Sequence, residues 1–193
     1  PRPAHRMHAA RLLATPRLRD VDSIRGETPR KLGLLQQRLH VGHLRQMLAL
    51  AEMGAVVLQP GAAFYHRPKT IRDLIAHPGW VAVETERVVA FAVVDRRSTG
   101  AAEILWIAVA DAERGQGVGS VLLDQLITEL AAEGVQLLEV KTLDSSANYQ
   151  PYAVTNAFYE RRGFIQIDTI DPLPGWPPGN PAAIYVAALS PSR

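Results

Sequence analysis

The feature that most constrains this chain is a glycine-rich turn between an apolar strand and an amphipathic helix. The turn runs from Arg114 to Ser120, with glycines at 115, 117 and 119, and the strand before it ends near Val109. Glycines permit positive φ angles and let a ligand approach the backbone closely. The first turn of the following helix offers unpaired N–H groups and the positive end of the helix dipole. Together these features predict a binding site for an anion such as a pyrophosphate.

Two common phosphate-binding patterns do not fit this turn. A Walker loop ends in Gly-Lys-Ser/Thr, whereas here Gly119 is followed directly by Ser120. A Rossmann pattern that begins at Gly117 would need its third glycine at the position of Leu122, and a start at Gly115 also fails. The remaining pattern is Arg-x-x-Gly-x-Gly, formed by Arg114, Gly117 and Gly119. A glycine-rich turn that binds no ligand is the alternative.

Two further motifs accompany the turn. Asn156 and Tyr159 are three residues apart and therefore share one face of a predicted helix, which is followed by the pair Gly163-Phe164. The strand before the turn begins with an acid, Glu103. Strand alternation predicts that Glu103 lies on the same face as the apolar residues Leu105, Ile107 and Val109.

In this order, the three motifs resemble the central strand, pyrophosphate loop and following helix of the GNAT family of acetyl-CoA-dependent N-acetyltransferases. The resemblance spans about residues 80–189. It implies acetyl-CoA as co-substrate and direct transfer of the acetyl group to an amine within a ternary complex. It also implies that no metal takes part.

The resemblance assigns roles to individual residues. Tyr159 would protonate the leaving thiolate, Glu103 would act as the base, and a backbone N–H near Val109 would bind the thioester oxygen. Glu103 as a solvated strand end and Tyr159 as a packing residue are the plainer alternatives. The residues expected to bind the cofactor are Ile107, Ala108, Val109, Arg114, Gly115, Gln116, Gly117, Val118, Gly119, Ser120, Asn156 and Tyr159.

Two departures from the family pattern stand out. Asp111 occupies a position where proline is common. The family also places a strand and usually two helices before the strand at Trp80, whereas here only Ala55–Leu58 and one short helix are expected to serve. Such truncation would leave the acceptor pocket open, and it favours the alternative of a non-catalytic acyl-CoA-binding or assembly module.

The first third of the chain has a resemblance of its own. Its segments Glu27–Pro29, His43–Leu48, Gly54–Leu58 and Ala63–Ile71 are similar to the C-terminal third of the flavin prenyltransferase family. The flavin phosphate loop of that family has no counterpart before Glu27. We therefore interpret residues 26–75 as a fusion remnant or recruited scaffold and expect no flavin to bind.

Periodicity predicts the remaining organisation. Apolar spacing from Leu34 predicts a helix that Gly54 ends, and residues 1–30 are expected to be loosely ordered. A short helix capped by Thr70 follows, and from Trp80 the order is β-β-β-α-β-α-β-β. The expected fold is α/β: a GNAT-like mixed, mostly antiparallel sheet flanked by helices, with an N-terminal helical extension. The expected domains are a basic, partly helical extension at 1–54 and a GNAT-like domain at 55–193.

Composition narrows the function classes. The chain has no cysteine, which excludes disulfides, zinc–thiolate sites and thiol catalysis. No apolar run approaches the ~18 residues of a membrane span, and we expect a cytoplasmic protein. Residues 1–54 carry ten Lys/Arg against four Asp/Glu, which we interpret as a solvated extension. The expected partner is a small-molecule or peptide amine, with neither membrane nor nucleic acid, and a homodimer is left open.

Overall fold

The computed structural model describes residues 19–22, 31–37, 41–52 and 67–189. The predicted strand Ala55–Leu58 and the predicted helix end at Gly54 lie outside these residues. Within them the chain forms one eight-stranded sheet with the order β1-β2-β3-β4-β5-β6-β8-β7. Six of the strands follow residue 78, and two precede it.

All strand pairs are antiparallel except β5 with β6, so the prediction of a mixed, mostly antiparallel sheet is confirmed. The strands are β1 Arg19–Asp22, β2 Lys31–Gln37, β3 Gly79–Glu84, β4 Arg87–Arg96, β5 Ala101–Val109, β6 Leu137–Leu143, β7 Ile165–Ile170 and β8 Ala182–Ala188.

Among the described residues, four α-helices cover the two faces of the sheet. They are α1 Val41–Glu52, α2 Arg67–Ala76, α3 Val118–Ala132 and α4 Pro151–Glu160. The buried side chains form two clusters, one on each face. The α3 and α4 side of the sheet carries the larger cluster, in which Leu122, Leu126 and Leu130 of α3 are fully buried at helical spacing. On the opposite face, Met47 of α1 and Leu74 of α2 cover Phe91 and neighbouring residues.

Two buried tryptophans fix helices to the sheet, one on each face. Trp80 Nε1 of β3 donates to Glu129 Oε2 of α3 at 2.9 Å. Trp106 Nε1 of β5 donates to Asp73 Oδ2 of α2 at 2.8 Å. Both indole rings are 1% exposed, so each hydrogen bond satisfies a donor that would otherwise be buried without a partner.

The N-terminal third differs from the prediction. Residues 34–37 belong to strand β2, and the helix predicted from Leu34 begins only at Val41. Arg19–Asp22, expected to be loosely ordered, form strand β1. The physical reason is long-range pairing: β2 forms ladders with β1 on one side and with β3 on the other, which local helical spacing does not reveal.

The elements before β3 also change what is expected of the pocket for the acceptor amine. A strand and two helices, β2, α1 and α2, precede β3, so the expected truncation of the family's N-terminal elements was wrong. Helix α2 begins at Arg67, ahead of the predicted cap Thr70. The domain boundary after residue 54 stays a prediction, although β2 and α1 before it belong to the same sheet and its covering layer.

A β-bulge in β5 overturns one prediction about the site. Val93 pairs with Trp106 but Val94 pairs with Ile104, so Leu105 is an extra residue in the strand. Ile104 and Ile107 consequently both face α3 and α4. Glu103 therefore does not share a face with Ile107 and Val109, because the extra residue reverses the alternation.

The elements from residue 79 onward otherwise follow the prediction closely. The sequence Thr85-Glu86-Arg87 predicts a hairpin turn between β3 and β4. Thr85 and Glu86 have φ angles of 47° and 65°, as a tight two-residue hairpin requires. The near-continuous apolar sequence from Val135 to Leu143 predicts a strand that is buried on both faces. Its burial instead alternates, with Leu138 and Val140 buried and Glu139 and Lys141 partly exposed.

Candidate active site

The central feature of the site is a gap between two parallel strands. β5 and β6 pair only along Ala101–Ile104 and Leu137–Val140, although β5 continues to Val109 and β6 to Leu143. Beyond Ile104 the facing edges of the two strands are not paired with each other. The sheet therefore opens at the end where β5 leads into the glycine-rich turn.

Backbone polar groups point into this gap. The N–H of Ala110 donates to Val89 O of β4 at 2.9 Å. Because N–H groups of successive strand residues point to opposite sides, the N–H groups of Val109 and Ile107 point away from β4, towards β6. The N–H of Asp144 likewise donates to Pro181 O, so the N–H of Leu143 points towards β5. An extended ligand in the gap could pair with both edges.

The glycine-rich turn adopts the predicted geometry. Gly115 and Gly117 have φ angles of 73° and 83°, in the left-handed region that glycine favours. Gly117 is the N-cap of α3, and no side chain caps that end. The first helical bond runs from Val121 N to Gly117 O, so the amides of residues 118–120 have no partner inside the helix. These amides are the donors that are predicted to bind an anion.

Gly119 has a different role from its neighbours. A Cβ on Gly119 would lie 3.1 Å from Val109 Cγ2 and 3.8 Å from Phe158 Cε2. The absence of a side chain lets the start of α3 approach both the end of β5 and helix α4. This close packing brings the anion site next to the gap.

Three contacts support the turn. Arg87 Nη2 at the tip of the β3–β4 hairpin donates to Glu113 Oε1 at 2.9 Å, and Glu113 is only 3% exposed. Gln116 Nε2 donates to Ala112 O at 2.6 Å. Arg114 forms an ion pair with Asp111, the position where the family pattern has proline. Sequence reasoning missed Arg87 and Glu113, since nothing local links two residues 26 positions apart.

Helix α4 supplies the other wall of the site. Asn156 Nδ2 donates to Leu143 O at 3.1 Å and so fixes α4 against the end of β6. Tyr159 is 0% exposed, and its ring packs against Phe164 and Tyr185. Its hydroxyl is buried and has no hydrogen-bond partner among the described residues. Burial raises the pKa of the phenol well above its ordinary value, so Tyr159 stays protonated at neutral pH.

Glu103 lies on the opposite face from Tyr159. Its carboxylate is 6% exposed, and each oxygen is held by a cation: Lys141 Nζ is 2.8 Å from Oε1, and Arg97 contacts Oε2. Arg97 and Lys141 also pair with Asp95 and Glu139. Glu103 is therefore a member of an ion network across three strands rather than a solvated strand end.

The structure thus gathers most of the predicted cofactor residues in one place. The end of β5, the turn at 114–120 and the start of α3 are contiguous, and α4 with Asn156 and Tyr159 packs beside them. Glu103, the predicted base, does not lie with them, because the bulge places it on the other face of the sheet.

A comparison with protein-family models agrees with this geometry. Residues 76–166 match the family model described as an acetyltransferase (GNAT) domain. The chain has the GNAT fold. The match ends just inside β7, so it includes the gap, the glycine-rich turn and α4.

Solved GNAT structures share this fold at low sequence identity. A GNAT-family protein from Desulfovibrio desulfuricans aligns with a TM-score of 0.65 at 19% identity, covering 82% of this chain and 99% of that chain. The ribosomal-protein-S18-alanine N-acetyltransferase of Escherichia coli aligns with a TM-score of 0.61 at 22% identity, covering 83% and 96%. A GNAT acetyltransferase from Elizabethkingia anophelis with acetyl-CoA bound gives 0.61 at 17%, covering 82% and 98%.

The first third of the chain is also similar to curated flavin prenyltransferases. The enzyme of Thauera aromatica is 56% identical over 48 residues, and that of Archaeoglobus fulgidus is 50% identical over 46. Each match covers 24% of this chain and 25% of the relative, so the chain spans about a quarter of the length of these relatives. The predicted segment resemblance is confirmed.

The part of the chain that the structure describes has neither a membrane-spanning helix nor a cluster of metal ligands. None of its helices is long and apolar enough to cross a membrane. These residues likewise contain no group of three or more His, Asp or Glu side chains placed to hold a metal ion.

Proposed function

We propose that this chain transfers an acetyl group from acetyl-CoA to an amine, directly and within a ternary complex. The observation that carries the proposal is the continuity of two sites, an uncapped helix N-terminus and a gap with inward-pointing backbone N–H groups. Acetyl-CoA has the complementary shape, a pyrophosphate followed by an extended, amide-containing arm that ends in a thioester. The amides of residues 118–120 would bind the pyrophosphate.

The chemistry follows from the groups along the gap. The N–H of Val109 or Ile107 would donate to the thioester oxygen and stabilise the negative charge that develops there. The amine nitrogen forms a bond to the acyl carbon while the carbon–sulfur bond breaks. Tyr159 would give its proton to the departing sulfur, for which its protonated state is required. Its raised pKa makes this transfer more costly than from an ordinary tyrosine, whose pKa is ~10 against ~8.5 for a thiol.

Glu103 remains the proposed base, acting through water. Both of its oxygens already face a cation, yet each retains a second lone pair that can accept a hydrogen bond from a water molecule. Glu103 lies on the face covered by α1 and α2, opposite Tyr159. The acceptor amine would therefore approach from the side of the sheet that Tyr159 does not occupy. Acid and base would then act on opposite sides of the acyl carbon.

The rival function is a non-catalytic acyl-CoA binder. Its main support was the expected loss of the strand and helices before β3, and β2, α1 and α2 remove that support. The protein would then have a complete frame for an acceptor site.

Release of thiol from acetyl-CoA in the presence of a panel of amines tests the proposal. The panel should include polyamines, amino acids, aminoglycosides and peptides with free N-termini. The matched variant is Gly117→Asp, which puts a carboxylate and a Cβ at a φ of 83° in the anion site. We expect amine-dependent thiol release by the wild type, and at least a ~10-fold weaker CoA affinity in the variant. Equal CoA affinity of both proteins would remove the glycine-rich turn from the mechanism.

A further inference from the structure

Helix α1 contacts the hairpin between β3 and β4 through the side chain of Gln46. Its Oε1 accepts a hydrogen bond from the N–H of Val88 at 2.7 Å, and its Nε2 donates to Glu86 O at 3.4 Å. These two bonds lie on either side of Arg87 in the chain. The next residue of α1, Met47, is fully buried against the sheet and keeps the helix in place. One side chain of α1 therefore fixes the backbone on both sides of Arg87.

The ladder beside Val88 is irregular, which makes this contact important. The pairing of β3 with β4 shifts register between Ala82 and Val83, and Val83 is the partner of Val88. A shift of this kind disrupts the ladder locally, so nearby backbone groups need additional partners. Val88 is buried, and loss of Gln46 Oε1 would remove a partner from its N–H. The hairpin tip would become less rigid.

Arg87 transmits this constraint to the segment that precedes the glycine-rich turn. Its Nη2 donates to Glu113 Oε1 at 2.9 Å. Glu113 is buried, and a buried carboxylate is costly unless charged or polar partners face it. Glu113 ends a single 3₁₀ turn, Asp111–Glu113, and its N–H donates to Ala110 O at 2.8 Å. Arg87 therefore holds the residue directly before Arg114, where the glycine-rich turn begins.

A further hydrogen bond connects the 3₁₀ turn to the start of α3. Gln116 Nε2 donates to Ala112 O at 2.6 Å, so the glycine-rich turn is tied back onto the 3₁₀ turn. Gly117, the N-cap of α3, follows directly. Hydrogen bonds, an ion pair and short stretches of backbone thus connect Gln46 with the amides at the start of α3. Energetic coupling between separate groups can be carried by a contiguous network of this kind.

We infer that Gln46 and Arg87 are positioning residues for the glycine-rich turn, so that helix α1 raises the affinity of this turn for the pyrophosphate of CoA. Both act through Glu113 and need not touch the ligand. The inference rests on the proposed acyl-CoA function, because CoA is the ligand proposed there. It gives α1, which lies in the segment that resembles flavin prenyltransferases, a role in the cofactor site.

The test uses Arg87→Gln and Gln46→Leu, alone and together, with CoA affinity measured by calorimetry well below each melting temperature. Arg87→Gln removes the charge that faces Glu113, and Gln46→Leu removes both bonds to the hairpin at similar volume. Each change should weaken CoA binding by about 5-fold or more, as is typical of coupled sites. Because both residues act through one path, the double variant should bind no more weakly than the weaker single variant. Arg87→Lys, which keeps the cation, should regain part of the affinity.

Arg96→Gln is the matched control. Arg96 lies at the other end of β4 and pairs with Glu133 at the C-terminal end of α3, away from the glycine-rich turn. This variant loses an ion pair of the same kind, but it should bind CoA like the wild type. Wild-type CoA affinity in Arg87→Gln or Gln46→Leu, whatever the melting temperature, would overturn the inference, as would effects that add in the double variant. A wild-type protein that binds no CoA would instead refute the proposed function itself.

Discussion

Replacement of Met47 by alanine tests whether the N-terminal segment is an integral part of the acetyltransferase fold. Met47 is 0% exposed and packs from α1 onto the face that contains Phe91 and Trp106. A buried Met→Ala change costs about 2–5 kcal/mol, through lost transfer free energy and the cavity left behind. For a chain of this size, each kcal/mol lowers the melting temperature by about 2–4 °C, which predicts a fall of about 4–20 °C.

Thermal unfolding followed by circular dichroism measures this fall. Arg45→Ala is the control, since Arg45 is on the same helix but exposed, and it should change stability by no more than about 0.5 kcal/mol. A chain truncated to residues 55–193 loses α1 and β2, uncovers Phe91 and Trp106, and should aggregate. The reasoning is refuted if Met47→Ala has the same melting temperature as the Arg45→Ala control, and if the truncated chain remains monomeric and binds CoA with the affinity of the full chain.

Two other changes test the polar groups of the site. Glu103→Gln should lower kcat by about 10²-fold or more. The loss should be largest at low pH, because fewer acceptor amines are already deprotonated there. An equal loss of kcat at every pH would leave Glu103 only its structural role. The second change is Asp144→Asn. Burial alone raises the pKa of Asp144, but hydrogen bonds from Ser146, Gln166 and Thr169 outweigh this effect and hold the pKa below its ordinary value. Its stabilisation is therefore present above the unfolded pKa of ~3.9 and is lost as pH falls through the lower folded value. Asp144→Asn should lower the free energy of unfolding by about 1–3 kcal/mol at pH 7, as measured by chemical denaturation. This difference from the wild type should shrink in acid. A difference that stays constant with pH would contradict the assignment.

The sequence predicted best what local chemistry determines. The turn at 114–120 could be identified because glycine spacing, an arginine and a following amphipathic helix all report on the same short segment. The hairpin turn at Thr85 and Glu86 and the helix from Val118 follow from similarly local signals. These elements also carry most of the residues that are predicted to bind the cofactor, which is why the structure brings those residues together.

What sequence reasoning missed depends on long-range pairing. Strand β2 looks helical in isolation, and only its ladders with β1 and β3 make it a strand. The bulge at Leu105 is equally invisible in the sequence, yet it moves Glu103 to the other face of the sheet. Glu103 pairs with Lys141 of the neighbouring strand β6 and with Arg97 just after β4, so the burial of this acid could not be inferred either.

The gap has a similar explanation. The sequence predicts a mixed sheet, but it does not show where the pairing of β5 with β6 stops.

The central claim is that this chain catalyses acetyl transfer, and Tyr159→Phe tests it most directly. The phenol is buried and unpartnered in the described structure, so its removal leaves packing intact and should not weaken CoA binding. Single-turnover release of CoA thiol, measured with the best amine of the panel, should slow by about 10²–10⁴-fold in the variant. An unchanged rate would make Tyr159 a packing residue, and tight CoA binding by the wild type with no thiol release for any amine would contradict the claim itself.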